Sequence, residues 1–325
     1  MTVSFDQLKN EFERVLVQLS FPKSKASLCA AIFAGNSRDG VYSHGLNRFP
    51  VFVNLVKEGL VDPGAEPERI TTTGNLERWD GHRGPGMYNA TVCMDRAIHL
   101  AKANGISCVV LGNSNHWMRG GTYGWQAAEA GCIGICFTNA MAGMPPWGGS
   151  IPKLGNNPLV MAVPSTPGPI VLDMAMSQFS YGKLQEYQFK NEDLPMAGGY
   201  DQQGHLTTKP EAIIKSKRAL PIGYWKGAGL ALLLDILLTS LSGGRSTAEI
   251  TKSGKEVGLS QCFICIYQAD LHDSLIREIL TFTKGDGGDS GEISYPGENT
   301  LKRRIKNEKE GIPVNEKIWE SVRQM

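Results

Sequence analysis

Ile133-Gly134-Ile135-Cys136-Phe137-Thr138, Leu159-Val160-Met161-Ala162-Val163 and Ile170-Val171-Leu172-Asp173 are short β-like runs in the middle third of the chain, and what lies between them decides the fold. The intervening stretches are clusters of Gly, Pro and Asn with few helical intervals. Parallel strands need a crossover of a dozen or more residues, usually a helix, whereas antiparallel strands can follow one another through short turns. The spacing therefore predicts a largely antiparallel or mixed sheet rather than repeated βαβ units.

Working outward, Met94 to Ala103 reads as a helix that leads through Asn104-Gly105 into the strand Ser107 to Gly112. On the far side, Gln261 to Tyr267 reads as a strand followed by a helix from Ser274 to Phe282. The first quarter is mostly helical. Ser4 and Gln7 have capping-box spacing, and Phe5, Leu8, Phe12, Val15, Leu16 and Leu19 recur at helical intervals. Further helices are expected from about Ser24 to Arg38 and from Asn47 to Glu58. Gly227 to Leu238 is a helix apolar almost all round, which predicts burial. A last helix should be capped near Asn315. The fold class is thus α/β of the α+β kind, with a helical N-terminal lobe and a mostly antiparallel sheet.

With 325 residues, 41% of them hydrophobic and 20% charged, the chain is globular and long enough for two lobes. The 33 basic and 32 acidic residues nearly cancel, which leaves no electrostatic footprint for nucleic acid. Seven cysteines, an odd number on apolar segments, argue against a disulfide framework and for a reducing, cytoplasmic setting. Cys132, Cys136, Cys262 and Cys265 lack the turn glycines of a zinc knuckle and read as core thiols. Met1 to Leu19 lacks the features of a signal peptide, and the apolar segment Gly227 to Leu241, interrupted by Asp235, is expected to be too short for a bilayer. Asp286 and Asp289, in the Gly-rich stretch from Lys284 to Gly291, read as a solvated turn rather than a calcium loop.

The chemistry concentrates in Tyr42-Ser43-His44-Gly45-Leu46-Asn47-Arg48-Phe49-Pro50. An imidazole exchanges a proton near neutral pH, and a guanidinium grips a carboxylate through two parallel hydrogen bonds. That pair suits a 2-oxo or 2-hydroxy acid; the bland alternative is a structural histidine beside a surface arginine. Asn113 to Gly121, Thr138 to Gly149, Leu154 to Leu159 and Gly223 to Gly227 add amides, aromatic faces and glycines of the kind that line a cleft for a flat polar ligand. A dinucleotide enzyme is usually announced by Gly-x-Gly-x-x-Gly between strand and helix, and no such motif occurs. Gly81-His82-Arg83-Gly84-Pro85-Gly86 has the wrong spacing, and Gly285-Asp286-Gly287-Gly288 follows a helix.

Ser43-His44-Gly45-x-x-Arg48, Asn115-His116-Trp117, Gly155-x-Asn157-Pro158 and Val171-Leu172-Asp173-Met174-Ala175, taken together, resemble the malate/L-lactate dehydrogenase family, which lacks a Rossmann fold. The resemblance runs from the first helix to near the C-terminus. It implies a homodimer, a discontinuous helical and catalytic lobe of residues 1–121 and 284–325, and an NAD(P)-binding lobe of residues 122–283. His44 would be the proton donor and Arg48 the contact for the substrate carboxylate, with His116 and Asn115 at the substrate. The cofactor, NADH with NADPH as the competitor, would rest on Pro169, Ile170, Val171, Leu172, Asp173, Met174 and Ala175, on Trp225 and Lys226, and on Gly297 and Glu298. Asp173 would either orient His44 or serve only the cofactor strand. Departures from the family pattern at Asn156, at Asn299 and over Ser150 to Lys153 flank this region.

The resulting expectation is a reductase that adds hydride to a ketone beside a carboxylate of a small 2-oxo acid, with protonated His44 as acid, no metal, and neither nucleic acid nor membrane as partner. The alternatives are a malate, lactate or ureidoglycolate dehydrogenase of the same family, a metal-dependent hydrolase built on His44, His116 and Asp173, and a catalytically silent binding protein.

Overall fold

The computed structural model describes residues 1–269, 271, 273–285 and 293–325. The turn expected around Asp286 and Asp289 lies outside the described residues. Its centre is a seven-stranded sheet of β1 (Glu68–Thr73), β2 (Leu76–Asp80), β3 (Ile106–Ser114), β4 (Cys132–Thr138), β5 (Leu159–Val163), β6 (Ile170–Met174) and β7 (Leu259–Tyr267), in the order β1-β2-β3-β7-β4-β5-β6. Within it only the β2–β3 pairing is parallel. The largely antiparallel sheet read from the middle third is the one observed. β6, the edge strand beyond β5, is partly covered because the Val171 N–H donates to the Pro296 carbonyl at 3.1 Å.

Four helices pack into one apolar cluster at the N-terminal end: α1 (Phe5–Gln18), α2 (Lys23–Arg38), α3 (Phe49–Lys57) and the distant α12 (Glu316–Arg323). Phe12, Phe33 and Phe49 are fully buried there, with ring centroids 4.3 Å apart for Phe12–Phe49 and 5.1 Å for Phe33–Phe49. Each such ring contributes about 1.5–3 kcal/mol through burial alone. The Ser4–Gln7 capping box and the Asn315 cap form as expected.

Helices α4 (Gly86–Asn104) and α5 (Gly121–Glu129) cover one face of the sheet, and α8 (Trp225–Ser242) covers part of the other. Between them in the chain run α6 (Tyr181–Lys190) and α7 (Pro210–Ser216), which the sequence reading does not place, and after α8 come α9 (Thr247–Ser253), α10 (Asp273–Lys284) and α11 (Glu298–Glu310). The helix expected from Met94 begins at Gly86, just after Pro85. Cys132, Cys136 and Cys265 are buried on the α4/α5 side, while Cys262 faces the α8 side beside Cys108. A three-residue spacing on a strand sends Cys262 and Cys265 to opposite faces, which rules out their sharing an ion.

The helix expected from Asn47 to Glu58 is α3, and two 3₁₀ turns, Tyr42–His44 and Leu46–Arg48, precede it. The break falls at Gly45, which lies tightly against Ser37, and the Leu46 N–H is taken by the Ser37 hydroxyl at 2.9 Å. Helix α8 is not buried all round and is not short. Ala228, Ala231, Leu234 and Leu238 face the sheet, but Leu232, Leu233, Ile236 and Leu237 are 47–56% exposed. Its 18 residues are long and apolar enough to cross a membrane by length and composition, with a third of them buried. Asp235 ties this helix to its neighbours: its carboxylate accepts the Thr247 N–H at the start of α9 at 2.9 and 3.1 Å and the Asn139 side-chain amide at 3.1 Å.

Candidate active site

His44 ends the first 3₁₀ turn, and its surroundings fix it from three directions. Its carbonyl accepts from the Asn36 side chain at 2.9 Å, and Asn36 in turn accepts from the Thr122 hydroxyl at 3.0 Å. The Ser43 hydroxyl lies 3.0 Å from His44 Nδ1. The third constraint is His116, whose ring stacks on that of His44 with centroids 5.8 Å apart and 23° between planes. His116 Nδ1 accepts the Met118 N–H at 3.0 Å, so its proton belongs on Nε2. The loop carrying His116 is rigid: Trp117 is buried, its carbonyl accepts from Tyr123 at 2.6 Å, and Met118 holds φ at +67°. Gly86 lets α4 pass so close to this loop that a Cβ there would overlap the Asn115 carbonyl.

Burial, the neighbouring ring and the Arg48 guanidinium push the His44 pKa down to about 3, and burial with Arg48 does the same to His116. Both rings are therefore neutral at pH 7 in the ligand-free chain. Arg48 Nη2 lies 3.8 Å from Glu256 Oε2, and Glu256 Oε1 accepts the Met141 N–H at 3.3 Å. Burial raises the Glu256 carboxyl above its usual range, opposed by Arg48 and that amide.

Asp173 stands near the end of β6. Its Oδ2 accepts the Gly121 N–H at 2.8 Å, at the start of α5, and lies 3.7 Å from Arg119 Nε. Among the described residues no hydrogen bond or ion pair joins Asp173 to His44. Burial raises the Asp173 carboxyl, with Arg119 and the Gly121 amide opposing. The buried Arg119 also donates to Asp39 at 2.7 Å, and Arg304 of α11 grips both Asp39 oxygens at 2.8 Å. Burial alone would raise Asp39, yet these guanidinium groups hold it below its ordinary value. Asn115 is placed differently from the sequence expectation. Its amide donors are spent on the carbonyls of Leu60, Arg83 and Gly84 at 3.2, 2.7 and 3.1 Å, so it anchors the loop that carries His116.

The three expected cofactor segments come together at the sheet edge. The stretch from Pro169 to Ala175 contains β6; Gly297 is so close to it that a Cβ would sit 2.9 Å from the Val171 nitrogen. Met176, just beyond, accepts the Ile222 N–H at 2.8 Å, which brings Trp225 and Lys226 alongside. Trp225 and Lys226 open α8 and Glu298 opens α11, and neither helix start carries a side-chain cap. Trp225 is 64% exposed, so it is not a core aromatic. Glu298 is engaged by Lys284 at 2.8 Å and Lys302 at 3.2 Å.

A family model described as malate/L-lactate dehydrogenase matches residues 3–323. The chain belongs to that family. It is 45% identical to 2,3-diketo-L-gulonate reductase of Escherichia coli O6:K15:H31 and 46% identical to that of Citrobacter koseri, with 99% of each chain covered. Among solved structures it is similar to malate dehydrogenase from Entamoeba histolytica, at 26% identity and a TM-score of 0.93 over 100% of this chain and 96% of that one. Sulfolactate dehydrogenase from Methanocaldococcus jannaschii follows at 27% identity and 0.88, over 99% and 95%. This member of the malate/L-lactate dehydrogenase family is an oxidoreductase, which overturns the metal-dependent hydrolase and the silent binding protein. Among the described residues, no group of three His, Cys, Asp or Glu side chains is placed to hold a metal ion.

Sequence reasoning misses four residues that stand at the candidate site. Asp39, Arg119 and Arg304 form the ion network behind His44, and Glu256 faces Arg48. Arg119 lies inside a segment singled out from sequence, but its partners are more than fifty residues away. Glu256 stands in Lys255-Glu256-Val257, where nothing local marks it.

Proposed function

We propose that this chain is an NAD(P)H-dependent reductase of 2-oxo acids, with 2,3-diketo-L-gulonate, named for relatives 45% identical over the full length, as its first candidate substrate. The observation that carries the reading is two stacked, neutral imidazoles under the influence of one guanidinium. Such a site has a proton carrier and an anion receptor and holds no proton until an anion arrives.

Arg48 takes the substrate carboxylate through its two-pronged donor face and so sets the direction of the neighbouring ketone. The bound negative charge offsets the influence of Arg48 on His44, raises its proton affinity and draws in a proton. His44 then gives that proton to the ketone oxygen as negative charge develops there, a step that typically contributes about a hundred- to ten-thousand-fold. The reduced nicotinamide, when bound, supplies the hydride. His116 holds the His44 ring in place by stacking. Asp173, anchored to Gly121 and Arg119, keeps β6 against α5, and we assign it to the cofactor strand.

The residues present fit a dinucleotide without a glycine fingerprint. Two helix starts without side-chain caps, with Lys226 in one of them, suit a diphosphate, and the exposed Trp225 offers a face for a flat ring. We further propose a homodimer formed through the exposed leucine and isoleucine face of α8, and a reducing, cytoplasmic setting in keeping with seven free cysteines. The two proposed lobes, 1–121 with 284–325 and 122–283, meet where β3 pairs with β7. The test is loss of NADH or NADPH absorbance with a panel of 2-oxo acids including oxaloacetate, pyruvate and 2,3-diketo-L-gulonate. Turnover is expected with the last; oxidation of neither nucleotide with any of the acids would refute the reading.

A further inference from the structure

The geometry points to Glu256 as a specificity-determining residue that turns away substrates carrying a second carboxylate. This rests on the reading of the site as one for 2-oxo acids.

Glu256 and the substrate carboxylate compete for the same cation. Arg48 Nη2 lies 3.8 Å from Glu256 Oε2, and among the described residues Glu256 has no other ion-pair partner. The Glu256 side chain is only 29% exposed, and the Met141 N–H at 3.3 Å fixes one oxygen. Its remaining acceptor capacity is directed at whatever binds beside Arg48. A carboxylate accepts hydrogen bonds from hydroxyl groups and repels other carboxylates.

Charge accounting gives the sign. In the ligand-free site Arg48 contributes one positive charge, Glu256 one negative charge, and the two imidazoles none. A monocarboxylate adds one negative charge, and the proton taken up by His44 for the reaction restores neutrality. A dicarboxylate adds a second negative charge; among the described residues the cations that act on His44 are Arg48 and Arg119, and Arg119 is already shared between Asp39 and Asp173. Specificity of this kind is built from repulsion as much as from attraction. The substrate class is therefore a monocarboxylic 2-oxo acid with a hydroxylated tail, in contrast to the dianions for which the malate and sulfolactate enzymes of the family are named.

The experiment compares kcat/KM for oxaloacetate and for 2,3-diketo-L-gulonate in the parent, Glu256→Gln and Glu256→Asp. Removing one like charge near the second carboxylate should raise the oxaloacetate to diketogulonate ratio about ten- to a hundredfold in the Gln variant. The Asp variant, which keeps the charge, should keep a ratio close to the parent's. An unchanged ratio in Glu256→Gln overturns the assignment. If Glu256→Gln does not fold, Glu256→Ser carries the same expectation. Failure of the 2-oxo acid reading itself looks different, since the parent then oxidises neither nucleotide. In that event, the shift of the thermal midpoint by malonate against that by lactate still reads the charge effect: malonate should stabilise the Gln variant more than the parent, and equal shifts would dismiss it.

Discussion

Two stacked imidazoles beside a fixed cation have little tolerance for protons of their own, and that sets the chemistry at the residue scale. Both rings are held down to about 3, against 6.5 for the free side chain. In the unfolded chain each takes a proton near pH 6.5 and in the folded chain it does not, so the unfolded state binds more protons between those values. The stability that the neutral pair contributes is intact above pH 6.5 and is lost as pH falls toward 3. Thermal midpoints measured from pH 7 to pH 4 should fall, and less steeply in His116→Asn, where one titrating ring is gone; parallel slopes would contradict the burial of these rings. His44→Ala should lower kcat about a hundred- to ten-thousand-fold while leaving the dissociation constant for NADH nearly unchanged. Equal loss of both would make His44 a structural residue. His44 and Arg48 were legible in the sequence because their chemistry is packed into five consecutive residues. Glu256 was not, because an acidic side chain in a charged loop reads as solvated until the fold shows what faces it.

At the scale of elements, legibility followed periodicity. β4, β5, β6, β7, α1 and α2 were all readable because alternation or helical spacing ran their whole length. α6 and α7 were not, since each is short and no apolar interval sets it apart from the turns around it. Helix α8 shows the opposite failure, where an apolar stretch correctly read as a helix was wrongly read as buried. Composition reports what a face can cover and is silent on what covers it. Asp235, which looked like an interruption of that stretch, is the link between α8 and α9. Asp235→Ala should cost about 1–3 kcal/mol, because it strands the Thr247 N–H and the Asn139 amide without their acceptor. A urea midpoint equal to the parent's would show that the two helices dock without it.

For the whole molecule, the order and spacing of strands gave the fold class before any helix was placed, whereas the convergence at β6 could come only from tertiary structure. No short motif announces the proposed diphosphate site, whose two helix starts lie more than seventy residues apart, and the resemblance to a family did the work that a glycine fingerprint does elsewhere. The exposed face of α8 belongs to this scale. Four large apolar side chains on one helix, each about half exposed, form a patch that monomers rarely leave in water. Light scattering should give twice the mass of the chain. Leu233→Glu with Ile236→Glu should halve that mass; a parent that is already monomeric would remove the proposed interface.

The residues that contact His44, Arg48 or Asp173 come from helix α2, from the loop before α5 and from the loop that follows α9. No contiguous fragment contains all of them. Turnover is consequently a late signal of assembly, regained after refolding only once the most distant stretches of the chain have found one another, however early the helices and the sheet return.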